Sequence, residues 1–536
     1  MKVADSIAAT LKAWGARWAF GIPGNDVLET VRACEEAGIE FVLGKSEPSC
    51  AFMADAVYQL TGKPAVLIPA LGPGLSNAMS GIAGAMQERS AIAVLCGEMA
   101  SKQMGIYNHQ VFDHVALARP VTKYAETLNP KRAAQQMAKA LDIAMAYPAG
   151  PVFLNVPSDY NREAATAEEP KGPAQRAITA LSSPAADALR AKLAQAKRPV
   201  ALVGRGALLE GTPAAFRAFA EAWKLPFFTT YKAKGITGDH HPLCLGSVGL
   251  SPVVDTENLV LLREADCIVL VGFDPIELRD AWLDAWPGTL PVISIDWAAL
   301  NHRIFPVGEE ALGHVPSILA QLMPAGPAPG EWQAERYAQL RERVAHIVRP
   351  RQPAKGISPA ALFHAVSAQA KDDWVMTVDV GAHRILANHV LQCRTPGQLM
   401  QSNGLGCMGY AVPAAIAAQL VHPERTVVAM LGDGCMLMTQ GELALAAERN
   451  LPLVVVVLND SALALIKLKQ SKMNMAPRAT DFRSPDFAKI AEGFGAKGVR
   501  VESIEAFGKA LADAVKSRQF TLIDAQVDPA EYWEQM

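Results

Sequence analysis

The chain has 536 residues, half of them apolar, with 53 acids against 50 lysines and arginines and a formal net charge of −3. That length exceeds one ordinary hydrophobic core, so two to four domains are expected. The balanced charge gives no basic surface for nucleic acid, and no stretch reaches the roughly 20 uncharged apolar residues that span a bilayer.

Residues 1–24 are helical in period but interrupted by Lys12 and Arg17, without the apolar centre of a signal peptide. Apolar runs at 18–21, 40–42, 65–69, 92–95 and 152–156 alternate with helical segments, the pattern of a parallel sheet over residues 1–165. Residues 161–184, rich in Ala, Glu and Pro, read as a linker. A second α/β block spans 185–325, with strands at 199–203, 267–271 and 292–295. The sequence MPAGPAPG (323–330) breaks the chain again, and a third block covers 352–536. The fold class is therefore α/β, with three doubly wound parallel-sheet domains. Eight cysteines (34, 50, 96, 244, 267, 393, 407 and 435) never form a CxxC, which disfavours zinc or a disulfide framework and fits a cytoplasmic location.

The third block holds the most telling stretch. An apolar run at 426–431 ends in Gly432-Asp433-Gly434, a helical segment follows, and a second run at 453–458 ends in Asn459-Asp460. This reads as a βαβ unit whose right-handed crossover puts both strand ends on one edge. Asp433 and Asp460 can then meet in the crevice beyond the strand ends. Two carboxylates there suit Mg²⁺, which favours oxygen ligands and shares itself with phosphate. The Gly434–Cys435 amides open a helix and are placed to meet a diphosphate.

Between Gly434 and Asn459 lie residues 435–458, which is 24 positions. With that spacing the chain resembles the thiamine diphosphate enzymes of the acetohydroxyacid synthase, pyruvate oxidase and benzoylformate decarboxylase group, whose signature is GDG, a similar spacer, then Asn-Asn. Its motifs lie nearest the acetolactate synthase large subunit. The resemblance implies a pyrimidine-binding, a central and a diphosphate-binding domain. It assigns Mg²⁺ to Asp433, Asp460 and the main-chain oxygen of Ala462, with Gly432, Gly434 and Cys435 beside the diphosphate. Asp460 stands where the group carries Asn, and so adds negative charge.

The likeness runs along nearly the whole chain. Phe20-Gly21-Ile22-Pro23-Gly24 resembles the family's first strand and turn, which places Pro23 and Gly24 at the cofactor. Lys45-Ser46-Glu47-Pro48 opens a helix that Ser46 is placed to cap. In the family this glutamate bonds the cofactor's aminopyrimidine and favours the imino tautomer, and a carboxyl in an apolar pocket can share a proton near neutrality. Glu47 is the first catalytic candidate. Leu71-Gly72-Pro73-Gly74-Leu75-Ser76-Asn77 is similar to SGPGATN, with Asn77 near the pyrimidine, and His109-Gln110 is similar to the segment carrying the active-site glutamine, with Gln110 on the substrate side. Val380-Gly381-Ala382-His383 resembles VGQH, making His383 a diphosphate contact. Residues 402–415 match SGGLGTMGYGLPAA. The Gly406 carbonyl then accepts from the 4′-amino group, and Met408 wedges the cofactor into its bent shape.

What the family implies is an acetolactate synthase-like enzyme that uses thiamine diphosphate and Mg²⁺ on a 2-oxo acid, by decarboxylation followed by carboligation or protonation. The alternatives are a simple 2-oxo acid decarboxylase, or a carbon–carbon lyase or hydrolase of an acyloin, diketone or acyl-CoA. A homodimer or homotetramer is implied, with Glu47 and the metal facing each other across subunits. Three departures bear on substrate. The segment 272–278 (GFDPIEL) lacks the arginine of the synthases' RFDDR, Lys469 falls at their tryptophan position, and Ala70 and Asn25 replace the decarboxylases' proton-transfer His and Asp. His109 and His114 are then candidate proton donors. The glycine pairs at 204/206 and 246/249 sit where relatives can hold FAD, but one such pair after a strand is a weak signal, and no flavin is assigned.

Overall fold

The computed structural model describes residues 1–166, 172–174, 179–300, 304–328 and 330–536, so the expected linker at 161–184 and break at 323–330 fall partly outside it. Three six-stranded sheets follow one another along the chain, and every strand pair in them is parallel.

The first contains β1 (Trp18–Ile22), β2 (Glu40–Leu43), β3 (Ala65–Pro69), β4 (Ile92–Glu98), β5 (Tyr124–Thr127) and β6 (Val152–Pro157), in the order β2-β1-β3-β4-β6-β5. The central sheet contains β7 (Pro199–Val203), β8 (Phe227–Thr230), β9 (Cys244–Val248), β10 (Cys267–Val271), β11 (Val292–Asp296) and β12 (Glu309–Leu312), in the order β12-β11-β10-β7-β8-β9. The third contains β13 (Val375–Val378), β14 (Leu399–Gln401), β15 (Val427–Gly432), β16 (Leu453–Asn459), β17 (Lys497–Val501) and β18 (Thr521–Gln526), in the order β14-β13-β15-β16-β18-β17. Counted from its own first strand, the third sheet repeats the first, 2-1-3-4-6-5. The central one reads 3-2-1-4-5-6.

The middle strands are apolar throughout because helices cover both faces of a parallel sheet. All seven residues of β16 (LVVVVLN) are buried. Truncating Leu458 there to Ala would cost about 2–5 kcal/mol through lost burial and the cavity left behind.

The helix Glu47–Thr61 ends at Gly62, whose φ of +63° closes it in the left-handed conformation. It crosses the helix Pro73–Gln87 closely at Gly81, where a Cβ would lie 2.4 Å from that of Ala51. It also packs on the helix Ala411–Val421 of the third domain, with the rings of Phe52 and Tyr410 edge to face at 5.7 Å. One apolar core therefore runs from the first domain into the third. Among the described residues no helix is long and apolar enough to cross a membrane.

Candidate cofactor site

In a 2-1-3-4-6-5 sheet the chain reverses direction between its first and third strands, and the loops after those two strands bound a crevice. In the third domain these loops are 379–383, after β13, and 432–435, after β15. β15 pairs with β16 up to Gly432 opposite Leu458, so the Asp433 turn and the Asp460 turn leave the sheet side by side. The crossover between them is two short helices, Asp433–Thr439 and Glu442–Glu448, broken at Gln440-Gly441.

Asp433 is buried. Its Oδ1 accepts from the Gly434 amide at 2.8 Å, and its Oδ2 accepts from the Ser461 amide at 2.6 Å and the Ser484 hydroxyl at 2.7 Å. Asp460 Oδ1 accepts from the Ala462 amide at 3.1 Å, which folds the turn so that Ser461 sits at φ +60°. Burial, and next the charge of Asp433, pushes the Asp460 carboxyl up to about 8. Burial also raises Asp433. A carboxylate raised by burial and by its like-charged neighbour is one that a divalent cation would stabilise in its charged form.

His383 lies across the same crevice. Burial, then the neighbouring Arg384, lowers it to about 3, so the ring is neutral, and its buried Nε2 has no partner among the described residues. A Cβ at Gly432 would come within 3.3 Å of that ring. Cys435 is buried and its thiol donates to the Val380 carbonyl at 3.2 Å. Gly406 has φ +67°, a turn that glycine adopts without strain. The Met408 methyl sits 3.5 Å from where a Gly434 Cβ would be. His383, Gly406, Met408, Gly432, Asp433, Gly434, Cys435, Asp460 and Ala462 thus belong to one end of one sheet. The orphaned imidazole nitrogen, the glycine-lined approach and the acid pair fit a diphosphate and Mg²⁺.

The remaining candidates gather at the matching edge of the first sheet. Asn77 Nδ2 donates to Glu47 Oε2 at 3.3 Å, and a Cβ at Gly74 would reach 3.8 Å from Glu47 Oε1. Pro23 and Gly24 follow β1, and a Cβ at Gly24 would lie 3.0 Å from that of Ala70, after β3. Gln110 sits at φ +59° on an exposed loop, with its carbonyl against Gly72, where a Cβ would come within 2.6 Å. Among the described residues no hydrogen bond or ion pair joins this cluster to the Asp433 cluster.

Several positioning residues lie outside the motifs. Ser46 does not cap the Glu47 helix with its side chain; its hydroxyl bonds Ser49 Oγ at 2.9 Å. The cap comes from the third domain. Buried Glu442 accepts from the Lys45 and Ser46 amides at 3.1 and 3.0 Å, 397 and 396 residues away in sequence. Asp379, at the end of β13, accepts from the Gly409 amide at 2.9 Å and the Ala411 amide at 2.8 Å, and so fixes one end of the Met408 loop. His114 is not a free proton donor. It is buried, its Nε2 accepts from the Gly72 amide at 3.1 Å, and its Nδ1 lies 3.0 Å from Glu98. It is a fixture of the glycine turn. His109 stays on the exposed loop.

A sheet edge with adjacent acids, one of them buried, and an imidazole nitrogen without a partner among the described residues, together with a glutamate pocket on a second sheet edge, defines a protein built to hold a diphosphate cofactor. Residues 1–117, 186–322 and 379–525 match the N-terminal TPP-binding, central and C-terminal TPP-binding domains of thiamine pyrophosphate enzymes. The chain is 31% identical to acetolactate synthase of Bacillus subtilis over 98% of its own length and 93% of the relative's. It is 30% identical to the acetolactate synthase isozyme 1 large subunit of Escherichia coli over 92% and 88%, and 28% identical to a probable acetolactate synthase large subunit of Methanocaldococcus jannaschii over 99% and 93%. The chain belongs to the thiamine pyrophosphate enzyme family, and its cofactor is thiamine diphosphate.

Proposed function

We propose that this protein is an acetolactate synthase-type enzyme that decarboxylates a 2-oxo acid and joins the resulting two-carbon unit to a second carbonyl compound. The observation that carries the reading is full-length similarity to acetolactate synthases in a chain that keeps both the Glu47–Asn77 pocket and the Asp433–Asp460 pair. Bound thiamine diphosphate supplies the electron sink for loss of carbon dioxide. Asp433, Asp460 and the Ala462 carbonyl would hold the metal, and His383 would donate to the diphosphate. Glu47 would hold and return the proton of the aminopyrimidine, oriented by Asn77. Gln110 would line the substrate side, and Met408 and the Gly406 turn would fix the cofactor's bend.

The active site is completed by a second copy of the chain. In one chain Glu47 is half-buried and Asn77 exposed, while large apolar side chains beside both half-sites stand open: Ile106 at 85%, Tyr107 at 54%, Leu405 at 47% and Met438 at 62%. Such a patch marks an interface. The eight free thiols suit a cytoplasmic location.

A second reading, protonation of the two-carbon unit to an aldehyde, is favoured by segment 272–278. It offers no arginine fork for a second carboxylate, and its Asp274 is paired instead with Arg89 at 2.7 Å. Purified protein with thiamine diphosphate, Mg²⁺ and a panel of 2-oxo acids, with and without aldehydes, decides between them. An acyloin or acetohydroxy acid with carbon dioxide is expected. Carbon dioxide with aldehyde alone would overturn the carboligase reading.

A further inference from the structure

The Met408 loop is held at its far end by Asp379, within its own domain. Its near end is held from outside. Glu88 caps the C-terminal end of the helix Pro73–Gln87, where a carboxylate meets the negative end of the helix dipole, and the side chain is buried. Its Oε1 accepts from the Asn403 amide and, at 3.1 Å, from the Gly404 amide. Its Oε2 is paired with Lys232 of the central domain, equally buried. Lys232 in turn donates to the Gln401 carbonyl at 2.7 Å, and Gln401 returns a bond to the Tyr231 carbonyl at 2.9 Å. Three domains converge on Gln401, at the end of β14, and on Asn403 and Gly404 just after it.

The backbone there leaves no slack. A Cβ at Gly404 would come within 2.5 Å of Gln87 Cβ and 2.8 Å of Ile276 Cδ1, so the loop is seated between the first and central domains. Two residues on lies Gly406, and four on lies Met408. The helix that ends in Glu88 carries Asn77 in its first two turns, about 16 Å away at 1.5 Å per residue. One rigid element therefore runs from the Glu47 pocket to the base of the Met408 loop.

We propose that Glu88, neutralised by Lys232, is a positioning residue for the cofactor: it sets the register of residues 403–408, and with them the Gly406 carbonyl and the Met408 side chain. A dipole-opposed carboxylate has no reason to be buried at this point unless amides and a cation are brought to it, and both come from the other two domains. The proposal rests on the reading of residues 406 and 408 as cofactor contacts.

The test uses full-length protein carrying Glu88→Ala, and separately the near-isosteric pair Glu88→Gln with Lys232→Gln. Hydrogen exchange of the 403–404 amides is measured without cofactor, and thiamine diphosphate binding with Mg²⁺ is followed by calorimetry and by the circular-dichroism band of the bound cofactor. Glu88→Ala is expected to speed exchange at 403–404 at least tenfold, weaken cofactor binding at least tenfold and alter the band, while exchange of the 409–411 amides, held by Asp379, changes less than twofold. The double variant, which keeps an acceptor oxygen without a stranded charge, is expected to fall between Glu88→Ala and the wild type. Exchange and binding both within twofold of wild type in a folded variant would overturn the proposal, and should Glu88→Ala not fold, the double variant is judged by the same limits. If the wild type binds no thiamine diphosphate, the functional reading of the site fails, and the exchange result still decides whether Glu88 anchors the loop.

Discussion

The third and central domains place the same kind of sheet edge under opposite demands. In the third, the Cys435 thiol on the loop after β15 donates to the Val380 carbonyl on the loop after β13 at 3.2 Å. Among the described residues His383 Nε2 has no hydrogen-bond partner, and Asp433 lies close enough to Asp460 to raise its carboxyl. In the central domain the corresponding loops follow β7 and β10, and they close on each other. Gly272, at φ +54°, would put a Cβ 2.2 Å from the Ala207 nitrogen, and one on Gly204 would meet the Gly272 carbonyl at 2.5 Å. The Arg205 amide, which a phosphate could have used, donates at 3.0 Å to Glu277. One edge keeps the His383 nitrogen for a ligand, and the other pairs its Arg205 amide with its own Glu277. The 3-2-1-4-5-6 order of a nucleotide-binding sheet therefore carries little functional weight here by itself. What matters is whether the amides and acids at the switch point are already paired.

The strongest way to break this comparison lies in the outward-facing half-sites. Glu47→Ala is expected to lower kcat by about 10²–10⁴, the usual worth of a positioned proton-transfer group, while cofactor still binds. Asp433→Ala is expected to abolish binding of thiamine diphosphate with Mg²⁺. Mixed and allowed to exchange subunits, the two inactive proteins should regain part of the activity, because one of the two sites in a hybrid dimer draws an intact Glu47 and an intact Asp433 from different chains. No recovery after exchange demonstrated by mass spectrometry would sink the shared site.

A smaller effect sharpens the account of the open edge. Asp460→Asn removes one of two repelling buried charges but keeps an oxygen. Metal-free Asp460→Asn protein should melt at a higher temperature than metal-free wild type at pH 8, and should bind Mg²⁺ about tenfold more weakly or worse, given the 10–100-fold effects of perturbing metal shells. Lower metal-free stability together with tighter Mg²⁺ binding would contradict the assignment of Asp460 to the metal.

The open edges were legible in the sequence because each is a short contiguous motif: a glycine turn with an acid at 432–434, a glycine-rich turn at 402–409 and a helix opening in an acid at 45–48. Strands were legible at β3, β7, β10 and β16, apolar runs covered on both faces, but not at the short β8 and β13, which are just as buried. The edge strands β12 (EEAL) and β17 (KGVRV) are half-wetted and carry no apolar run to mark them. The supports of the site were not legible. Glu442 reaches back 397 residues to Lys45, and Glu88 reaches 315 residues to Asn403, distances over which no periodicity or spacing survives. Asp379 is the exception, since a lone acid ending an apolar run is the same signal that singles out Asp433.

The mildest prediction addresses the closed edge. Burial pushes the Glu277 carboxyl up to about 8 from an ordinary value of 4.5, against hydrogen bonds from Thr230 and the Arg205 amide that pull it down. Between those two values the folded chain holds a proton on Glu277 that the unfolded chain has released. By linkage this group's contribution is fully present below pH 4.5 and declines as pH rises toward 8. Glu277→Gln keeps the acceptor for Arg205 and cannot ionise. The variant should therefore match wild type within a degree or so of Tm at pH 5 and exceed it by a few degrees at pH 9, where 1 kcal/mol is worth about 2–4 °C for domains of 150–250 residues. A Tm difference that stays flat between pH 5 and pH 9 would mean that the carboxylate on the Arg205 amide is not strained by burial. The central edge would then be closed by backbone packing of Gly204 and Gly272 alone.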